Sequence, residues 1–167
     1  MKNVEVLVLH GSPGSGKSTL ANIIADKLRS AGIPHAVIDI DELNRIYPET
    51  GNLIEWKNLG AIWHNYTNLG DIKIILPVLI DDQKNMDALR NATPSNKLTV
   101  CELIADESIL KRRVREREPD QFWKDKLENL VTKYFTNTDK FGDFKIQTDH
   151  KTTDEISEEI LKCVKWI

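Results

Sequence analysis

The chain has 167 residues, a length that suits one domain and argues against two independently folded ones. Hydrophobic residues make up 40% and charged residues 29%, which excludes a disordered chain, and no apolar run is long enough to span a membrane. With 23 Lys and Arg against 26 Asp and Glu, the formal charge of −3 argues against broad binding to nucleic acid or acidic membranes. The two cysteines stand far apart, so we expect two buried thiols, no disulfide and a cytoplasmic protein.

Short apolar runs alternate with amphipathic stretches along the chain, a pattern typical of a parallel sheet with helical connections. The predicted strands are Val4–Leu9, His35–Ile38, Ile72–Ile80, Leu98–Ile104 and Phe144–Ile146. Six helices are predicted. The first ends before Gly32, and the second and third cover 53–69 and 82–91. The fourth runs from a cap at Asp106 to Pro119, the fifth covers Phe122–Phe135, and the sixth begins at a capping box of Thr152 and Glu155. The sequence therefore predicts a single α/β domain over 1–167 with a five-stranded sheet.

A glycine-rich loop joins the first predicted strand to the first helix. It fits the pattern G-x-x-x-x-G-K-[ST] and consists of Gly11, Ser12, Pro13, Gly14, Ser15, Gly16, Lys17, Ser18 and Thr19. Glycines allow backbone N–H groups to surround phosphate oxygens, and the N-terminus of the following helix adds partial positive charge. In this pattern Lys17 reaches the β- and γ-phosphates, and the Ser18 hydroxyl is a hard oxygen ligand for Mg²⁺. The motif predicts a site for a nucleoside triphosphate.

Two acids follow the second strand, where ligands of open α/β sheets bind. Asp39 and Asp41 stand two residues apart, so both carboxylates can face the phosphate loop. One of them can hold Mg²⁺ while the other accepts a proton from an attacking hydroxyl. The alternative is that they are solvated acids, with Asp41 capping a helix that starts near Glu42.

The loop GSPGSGKST, the stretch VIDIDELNRIYP and an arginine-bearing helix near 113–117 together resemble the small P-loop kinases of metabolites and antibiotics. That group includes shikimate kinase, gluconate kinase, adenylylsulfate kinase and chloramphenicol phosphotransferase. The resemblance implies a three-layer P-loop fold, ATP and Mg²⁺, and a small-molecule hydroxyl acceptor, in a monomer or homodimer. It also implies Asp41, seven residues before Pro48, as the catalytic base and Asp39 as the magnesium-side acid.

The third predicted strand departs from this group. Its core reads Ile-Ile-Leu-Pro-Val over 74–78, without the acid or glycine that such kinases often carry near the phosphates. Asp81 and Asp82 come later and are expected to lie too far along. The protein ligands of Mg²⁺ beyond Ser18 and Asp39 are therefore open.

Basic residues crowd the helix that precedes Pro119. By resemblance, residues 111–122 form a lid in which Arg117 acts catalytically on the phosphates and Arg113 stacks on adenine, with 150–152 on the other side of the base. The alternative is a solvated basic face paired with Glu116 and Glu118.

The segment 41–70 is the predicted acceptor-binding part of the chain. Trp56 and Trp63 share a helix face, which fits either the core or an acceptor pocket that also includes Tyr66. Four acids against two basic residues in this segment favour a neutral or cationic ring-bearing alcohol over a phosphorylated acceptor.

The combined pattern predicts a kinase that transfers the γ-phosphoryl group of ATP to an alcohol such as a nucleoside, antibiotic or metabolite. A nucleoside monophosphate kinase is the nearest alternative. A P-loop ATPase or a nucleotide-binding protein without kinase activity is another, because the third strand lacks an acid. A guanine-nucleotide switch is disfavoured, since the nearest Asn-Lys-x-Asp string, over 96–99, lacks the Asp.

Overall fold

A five-stranded parallel sheet forms the centre of the protein. Its strands, in chain order, are β1 (Val4–Gly11), β2 (His35–Val37), β3 (Ile72–Val78), β4 (Lys97–Ile104) and β5 (Phe144–Gln147). They are arranged β2-β3-β1-β4-β5, so that β1 lies in the middle and pairs with both β3 and β4. These elements come from a computed structural model, which describes residues 2–51 and 53–167.

Helices connect the strands and cover both faces of the sheet. They are α1 (Lys17–Ser30), α2 (Ile54–Thr67), α3 (Gln83–Ala92), α4 (Glu107–Arg117), α5 (Gln121–Thr136) and α6 (Thr153–Val164), with a short 3₁₀ helix at Asp41–Asn44. None of the helices in the described ranges is long and apolar enough to cross a membrane.

Alternate residues of β1 enter two separate apolar clusters. Val6 and Val8 face the cluster that α2 and α3 complete, whereas Leu7 and Leu9 face the cluster that α1 and α6 complete. A strand buried on both faces has no solvent-facing side, which is why β1 and β3 are mostly apolar. Near their start, Glu5 of β1 and Lys73 of β3 form an ion pair. The predicted three-layer α/β/α architecture with five parallel strands is therefore confirmed.

The sheet order also determines where a ligand can bind. From β1 the chain passes to β2, beyond β3, and later returns to β4 on the other side of β1. In open α/β sheets this reversal leaves a crevice at the carboxyl ends of the strands. The phosphate loop, which follows β1 directly, lies at this crevice.

Several sequence predictions differ from the structure in detail. β3 ends at Val78 rather than Ile80. Asp106 lies at the N-cap position of α4, but its side chain accepts no helix N–H, so its predicted capping role is wrong. Cys101 is buried as predicted, but Cys163 is exposed. The capping box of Thr152 and Glu155 at the start of α6 is confirmed.

Replacing Thr152 with alanine should lower the free energy of unfolding by about 1 kcal/mol, because the Glu155 N–H then loses its side-chain acceptor. Urea denaturation monitored by circular dichroism measures the loss. Asp106→Ala is the matched control, since Asp106 holds an N-cap position without making a cap hydrogen bond. Equal losses in the two variants would contradict the assignment.

Candidate functional site

The phosphate loop is shaped by main-chain atoms. Gly14 has a φ of +81°, and a Cβ atom there would lie 2.8 Å from the carbonyl oxygen of Leu110 on α4. Gly16 is the N-cap of α1 and supplies no side-chain cap, so the first N–H groups of α1 remain available to an anion. The loop therefore has the conformation and the donors that a bound phosphate requires.

Lys17 folds back over this loop. Its Nζ donates hydrogen bonds to the carbonyl oxygens of Gly11 at 2.8 Å and Ser12 at 3.0 Å. Burial of the ammonium group lowers its pKa, and the charge of Arg117 acts in the same direction, whereas Asp41 and Asp39 oppose them; the net pKa is about 8. The nearby acids therefore do not fully compensate for the loss of water around Lys17.

The two acids after β2 have different partners. Asp39 Oδ2 accepts a hydrogen bond from Ser18 Oγ at 2.9 Å, and Asp39 Oδ1 accepts one from the backbone N–H of Asp41 at 3.1 Å. Asp41 lies inside the 3₁₀ helix, whose N-cap is Ile40, so the alternative that Asp41 caps a helix is wrong. Asp39 thus connects Ser18 to the backbone that positions Asp41.

Asp41 lies near Lys17 of the phosphate loop, and its surroundings favour the protonated form of its carboxyl group. Neighbouring atoms desolvate the carboxylate and raise its pKa, and the charges of Asp39, Glu42 and Glu55 add to that effect. Lys17 opposes them. The net direction is upward, which makes Asp41 a stronger base, when ionised, than an ordinary aspartate.

A cleft of about 220 Å³ brings most of the predicted site residues together, and we call it the phosphate cleft. It is lined by Pro13, Gly14, Gly16, Lys17, Ser18, Thr19, Asp41, Leu79, Arg117, Leu127 and Leu130. Gly11, Ser12 and Ser15 are buried beneath it. Among the described residues, Arg117 makes no ion pair or side-chain hydrogen bond, so its charge is available to a ligand.

Arg113 lies behind the phosphate loop. Its guanidinium donates to the Thr148 Oγ at 3.1 Å, to the Thr148 carbonyl at 2.9 Å and to the Gly14 carbonyl at 3.4 Å. Arg113 thereby holds α4 against both the loop and the end of β5.

Other basic residues of α4 pair with acids. Lys111 lies 2.7 Å from Glu107, Arg112 lies 3.9 Å from Glu116, and Arg115 pairs with Glu128 of α5. A solvated, paired basic face therefore describes Lys111, Arg112 and Arg115, but not Arg113 or Arg117.

A second cavity of about 640 Å³, the outer cavity, lies between the 44–55 segment, the residues after β3 and the start of α5. Its walls include Arg45, Tyr47, Glu55, Asp81 and Trp123. Neither Tyr47 nor Trp123 was predicted as a site residue. Trp123 shares the apolar stripe of α5 with Leu127 and Leu130, a spacing that is equally typical of a core face, and no periodic pattern marks Tyr47.

The tryptophans of α2 belong to the core. Trp56 is 4% exposed and Trp63 is 2% exposed. Their Nε1 groups donate to Asn85 Oδ1 and to the Pro94 carbonyl, both at 3.0 Å. Tyr66 packs against the same core cluster and lines neither of the two cavities. The alternative in which these three rings line the acceptor pocket is therefore wrong.

Two protein oxygens beside the phosphate loop are available to bind Mg²⁺. The β3 residues near the loop are apolar, Asp82 caps α3, and the described residues contain no group of three or more acid, His or Cys side chains able to hold a metal. Ser18 and Asp39 present adjacent hard oxygens beside the phosphate loop. This set fits Mg²⁺, which usually keeps several waters and phosphate oxygens and needs only one or two protein ligands.

One family model matches the N-terminal part of the chain. Residues 2–67 match the family model described as Zeta toxin. No curated protein matches the sequence.

Solved structures match over nearly the whole chain. The APS kinase of Mycobacterium tuberculosis, in complex with AMPPNP and APS, is 18% identical with a TM-score of 0.71, covering 99% of this chain and 99% of that one. A gluconokinase from Sinorhizobium meliloti is 21% identical with a TM-score of 0.67, covering 99% and 94%. The shikimate kinase of Acinetobacter baumannii is 16% identical with a TM-score of 0.60, covering 99% and 95%.

The protein has the P-loop kinase fold. Identities this low show the fold alone. They confirm the predicted resemblance to the shikimate, gluconate and adenylylsulfate kinases at that level, and the roles of individual side chains stay predictions.

Replacing Gly14 with alanine should destabilise the protein by about 1–3 kcal/mol, because the new Cβ meets the Leu110 carbonyl in a left-handed backbone. Gly32→Ala is the control for backbone strain alone, since Gly32 has a φ of +69° with nothing within 4 Å of an added Cβ. Thermal unfolding of both variants measures the difference. A loss at Gly14 no larger than that at Gly32 would contradict a close contact between the loop and α4.

Proposed function

We propose that the protein transfers the γ-phosphoryl group of ATP to a hydroxyl group of a small molecule. The observation that supports this most strongly is the phosphate cleft, which combines Lys17, Ser18, Asp41 and Arg117 in a P-loop kinase fold. The cleft unites a triphosphate site, a base and an unpaired cation within one small volume. These are the parts that phosphoryl transfer needs.

Main-chain N–H groups of the loop and of the first turn of α1 bind the phosphate oxygens. Lys17 Nζ already lies on the inner side of the loop, on the Gly11 and Ser12 carbonyls, and can exchange these for phosphate oxygens. A bound polyanion replaces the neutral carbonyl acceptors with charged oxygens, so the hydrogen bonds of Lys17 stabilise the bound state more than the free state.

Ser18 and Asp39 are the residues that would hold Mg²⁺. When bound, Mg²⁺ neutralises charge on the β- and γ-phosphates and orients them. Asp39 also accepts the Asp41 N–H. Asp39 therefore links the metal side of the site to the position of the base.

Asp41 accepts the proton of the acceptor hydroxyl. The acceptor oxygen forms its bond to the γ-phosphorus while the bond from that phosphorus to the β–γ bridging oxygen breaks, and ADP leaves with the electron pair of that bond. The raised pKa of Asp41 moves the base towards the operating pH, which improves proton transfer.

The two arginines of α4 have separate roles. Arg117 faces the phosphate cleft and stabilises negative charge that develops during transfer. The in-plane donors of Arg113 are used by Thr148 and Gly14, which leaves the flat face of its guanidinium for an adenine ring.

The outer cavity is the proposed acceptor site. It lies next to the 3₁₀ helix that begins at Asp41, because Asn44 of that helix lines its wall. Tyr47 is 96% exposed and Trp123 45% exposed, and Lys126 Nζ lies 4.8 Å from the centre of the Trp123 ring. Tyr47 and the side of Trp123 away from Lys126 can therefore contact a ring. The walls therefore fit a ring-bearing alcohol.

The charges of the outer cavity disfavour a phosphorylated acceptor. Two cations lie at this cavity, and both are paired: Arg45 with Glu42 at 3.2 Å and Lys126 with Glu49 at 3.5 Å. Glu55 and Asp81 have no cationic partner among the described residues. Such a wall repels a phosphate and attracts an amine. We therefore favour a neutral or cationic acceptor, such as a nucleoside or hydroxylated antibiotic, over a nucleoside monophosphate.

A second candidate is a nucleotide-binding protein without kinase activity. The apolar end of β3 favours it, because the cleft then has few protein oxygens for a metal.

Asp41→Asn should lower kcat by about a hundredfold to ten-thousandfold, because it removes the base, and should change the KM for ATP only slightly. A coupled assay of ADP release, with an acceptor that supports turnover, measures both constants. Glu42→Gln is the control, since Glu42 lies in the same 3₁₀ helix and pairs with Arg45. Equal rates for Asp41→Asn and wild type would exclude Asp41 as the base.

The same assay should show a pH dependence. The base acts only when deprotonated, so the rate should fall as pH drops through the pKa of Asp41, above the ordinary value of 3.8. Glu42→Gln should move this fall to lower pH, because the charge of Glu42 raises that pKa.

An acceptor panel should show preference for a neutral or cationic ring-bearing alcohol. ADP release would be compared across nucleosides, nucleoside monophosphates, sugars, sugar acids and antibiotics at matched concentration. For a cationic acceptor, Asp81→Asn should raise the acceptor KM several-fold, whereas Asp87→Asn, on α3 outside the cavity, should not. Preference for a monophosphate would instead indicate a nucleotide kinase.

A further inference from the structure

A group of buried polar side chains lies beneath the phosphate loop, outside both cavities. His10 is 3% exposed and Glu102 is 4% exposed, and they are register partners on β1 and β4. The half-buried Tyr134 of α5 completes the group, which we call the buried polar cluster. It lies directly before the loop, since His10 precedes Gly11 in the chain.

His10 determines where β3 leaves the sheet. The β1–β3 register ends at the pair of His10 and Val78, and the backbone N–H of Ile80 then donates to His10 Nδ1 at 3.1 Å. The proton of the neutral ring is therefore on Nε2. The residues on either side of Ile80 line the two cavities, Leu79 the phosphate cleft and Asp81 the outer cavity.

Tyr134 fixes α5 to the same point. Its hydroxyl donates to Glu102 Oε1 at 2.5 Å, and its ring centroid lies 5.9 Å from that of His10. Three residues further on, Asn137 donates to the Asp81 carbonyl at 2.7 Å. The C-terminal end of α5 is thus bound both to β4 and to the segment that follows β3.

The attached helix supplies walls to both cavities. Leu127 and Leu130 of α5 line the phosphate cleft, and Trp123 lines the outer cavity. The Trp123 side chain is 45% exposed. The hydrogen bond of Tyr134 therefore holds α5 from its half-buried side, while the α5 side chains that face the two cavities remain partly exposed.

The protonation states of His10 and Glu102 do not change near neutral pH, so their hydrogen bonds stay the same. Burial lowers the pKa of His10 to about 4, so the imidazole stays a neutral acceptor at neutral pH. Desolvation opposes ionisation of Glu102, but the hydrogen bond from Tyr134 and the Lys145 ammonium group, 3.0 Å from Glu102 Oε2, outweigh it and lower its pKa. A buried carboxylate is seldom the most stabilising choice at such a position, whereas its directional bonds select one arrangement.

We propose that His10, Glu102 and Tyr134 are positioning residues for phosphoryl transfer. Through Ile80 and α5 they set the distance between the walls of the outer cavity and the phosphate loop, and thereby the position of the acceptor relative to Asp41. This inference rests on the proposed function for its effect on turnover, but its structural part can be measured separately.

Tyr134→Phe removes one hydroxyl and keeps the ring. With the best acceptor, we expect kcat to fall about ten- to hundredfold, as for a small misplacement of reacting groups, while the Kd for AMPPNP measured by calorimetry stays within about twofold. Tyr66→Phe is the matched control, since Tyr66 is a half-buried tyrosine that packs against the core away from both cavities. A Tyr134→Phe protein that is folded, with kcat within twofold of wild type, would overturn the proposal.

His10 offers a second pair of variants. His10→Asn places a side-chain acceptor near the Nδ1 position and should retain most of kcat, whereas His10→Leu removes the acceptor and should lose it. Equal losses in the two, with both proteins folded, would count against the role of the Ile80 hydrogen bond.

Acrylamide quenching of tryptophan fluorescence tests positioning without turnover. Trp56, Trp63 and Trp166 are at most 7% exposed, so the accessible signal comes from Trp123. Tyr134→Phe should increase its quenching constant, and Tyr66→Phe should not. Absence of phosphoryl transfer in the wild-type protein with every acceptor would refute the proposed function alone, whereas unchanged quenching in Tyr134→Phe would refute the positioning of α5.

Discussion

The charge of Lys17, shielded from water at the end of the central strand, is the constraint on which the site depends. Two loop carbonyls and the charges of Asp39 and Asp41 stabilise it, yet its pKa is still lowered to about 8. A cation that its surroundings stabilise incompletely gains most from an added anion. The free protein is therefore arranged for a ligand with more negative charge than the two aspartates supply.

The same electrostatics couples ligand binding to the base. Lys17 lowers the pKa of Asp41, whereas desolvation and the nearby acids raise it. A triphosphate on Lys17 screens that cation and adds negative charge of its own, so Asp41 should become a stronger base when ATP is bound. Asp39, bonded to Ser18 and to the Asp41 backbone, keeps the base in place while these charges change.

The parts of the site that sequence could predict are those whose physical requirements are local. The phosphate loop needs particular residues in one short segment. The Ser18–Asp39 contact joins two segments that follow the carboxyl ends of β1 and β2, at the same edge of the sheet. Trp56 and Trp63 could not be assigned, because a core face and a pocket face have the same helical spacing and only the packing of α3 separates them. The meeting of His10, Glu102 and Tyr134 depends on strand register and on where β3 ends, which no local pattern specifies.

The two halves of the site also differ in what forms them. The phosphate side consists mainly of main-chain N–H and carbonyl groups held by the loop conformation and by the N-terminus of α1. The proposed acceptor side consists of side chains from 44–51 and 53–55, from the residues after β3 and from α5. Main-chain donors depend on backbone shape, whereas a side-chain wall changes its chemistry with each substitution. In the proposed assignment, the loop conformation therefore constrains the phosphoryl donor, and the choice of acceptor falls to the outer cavity, including Glu55, Asp81 and Trp123.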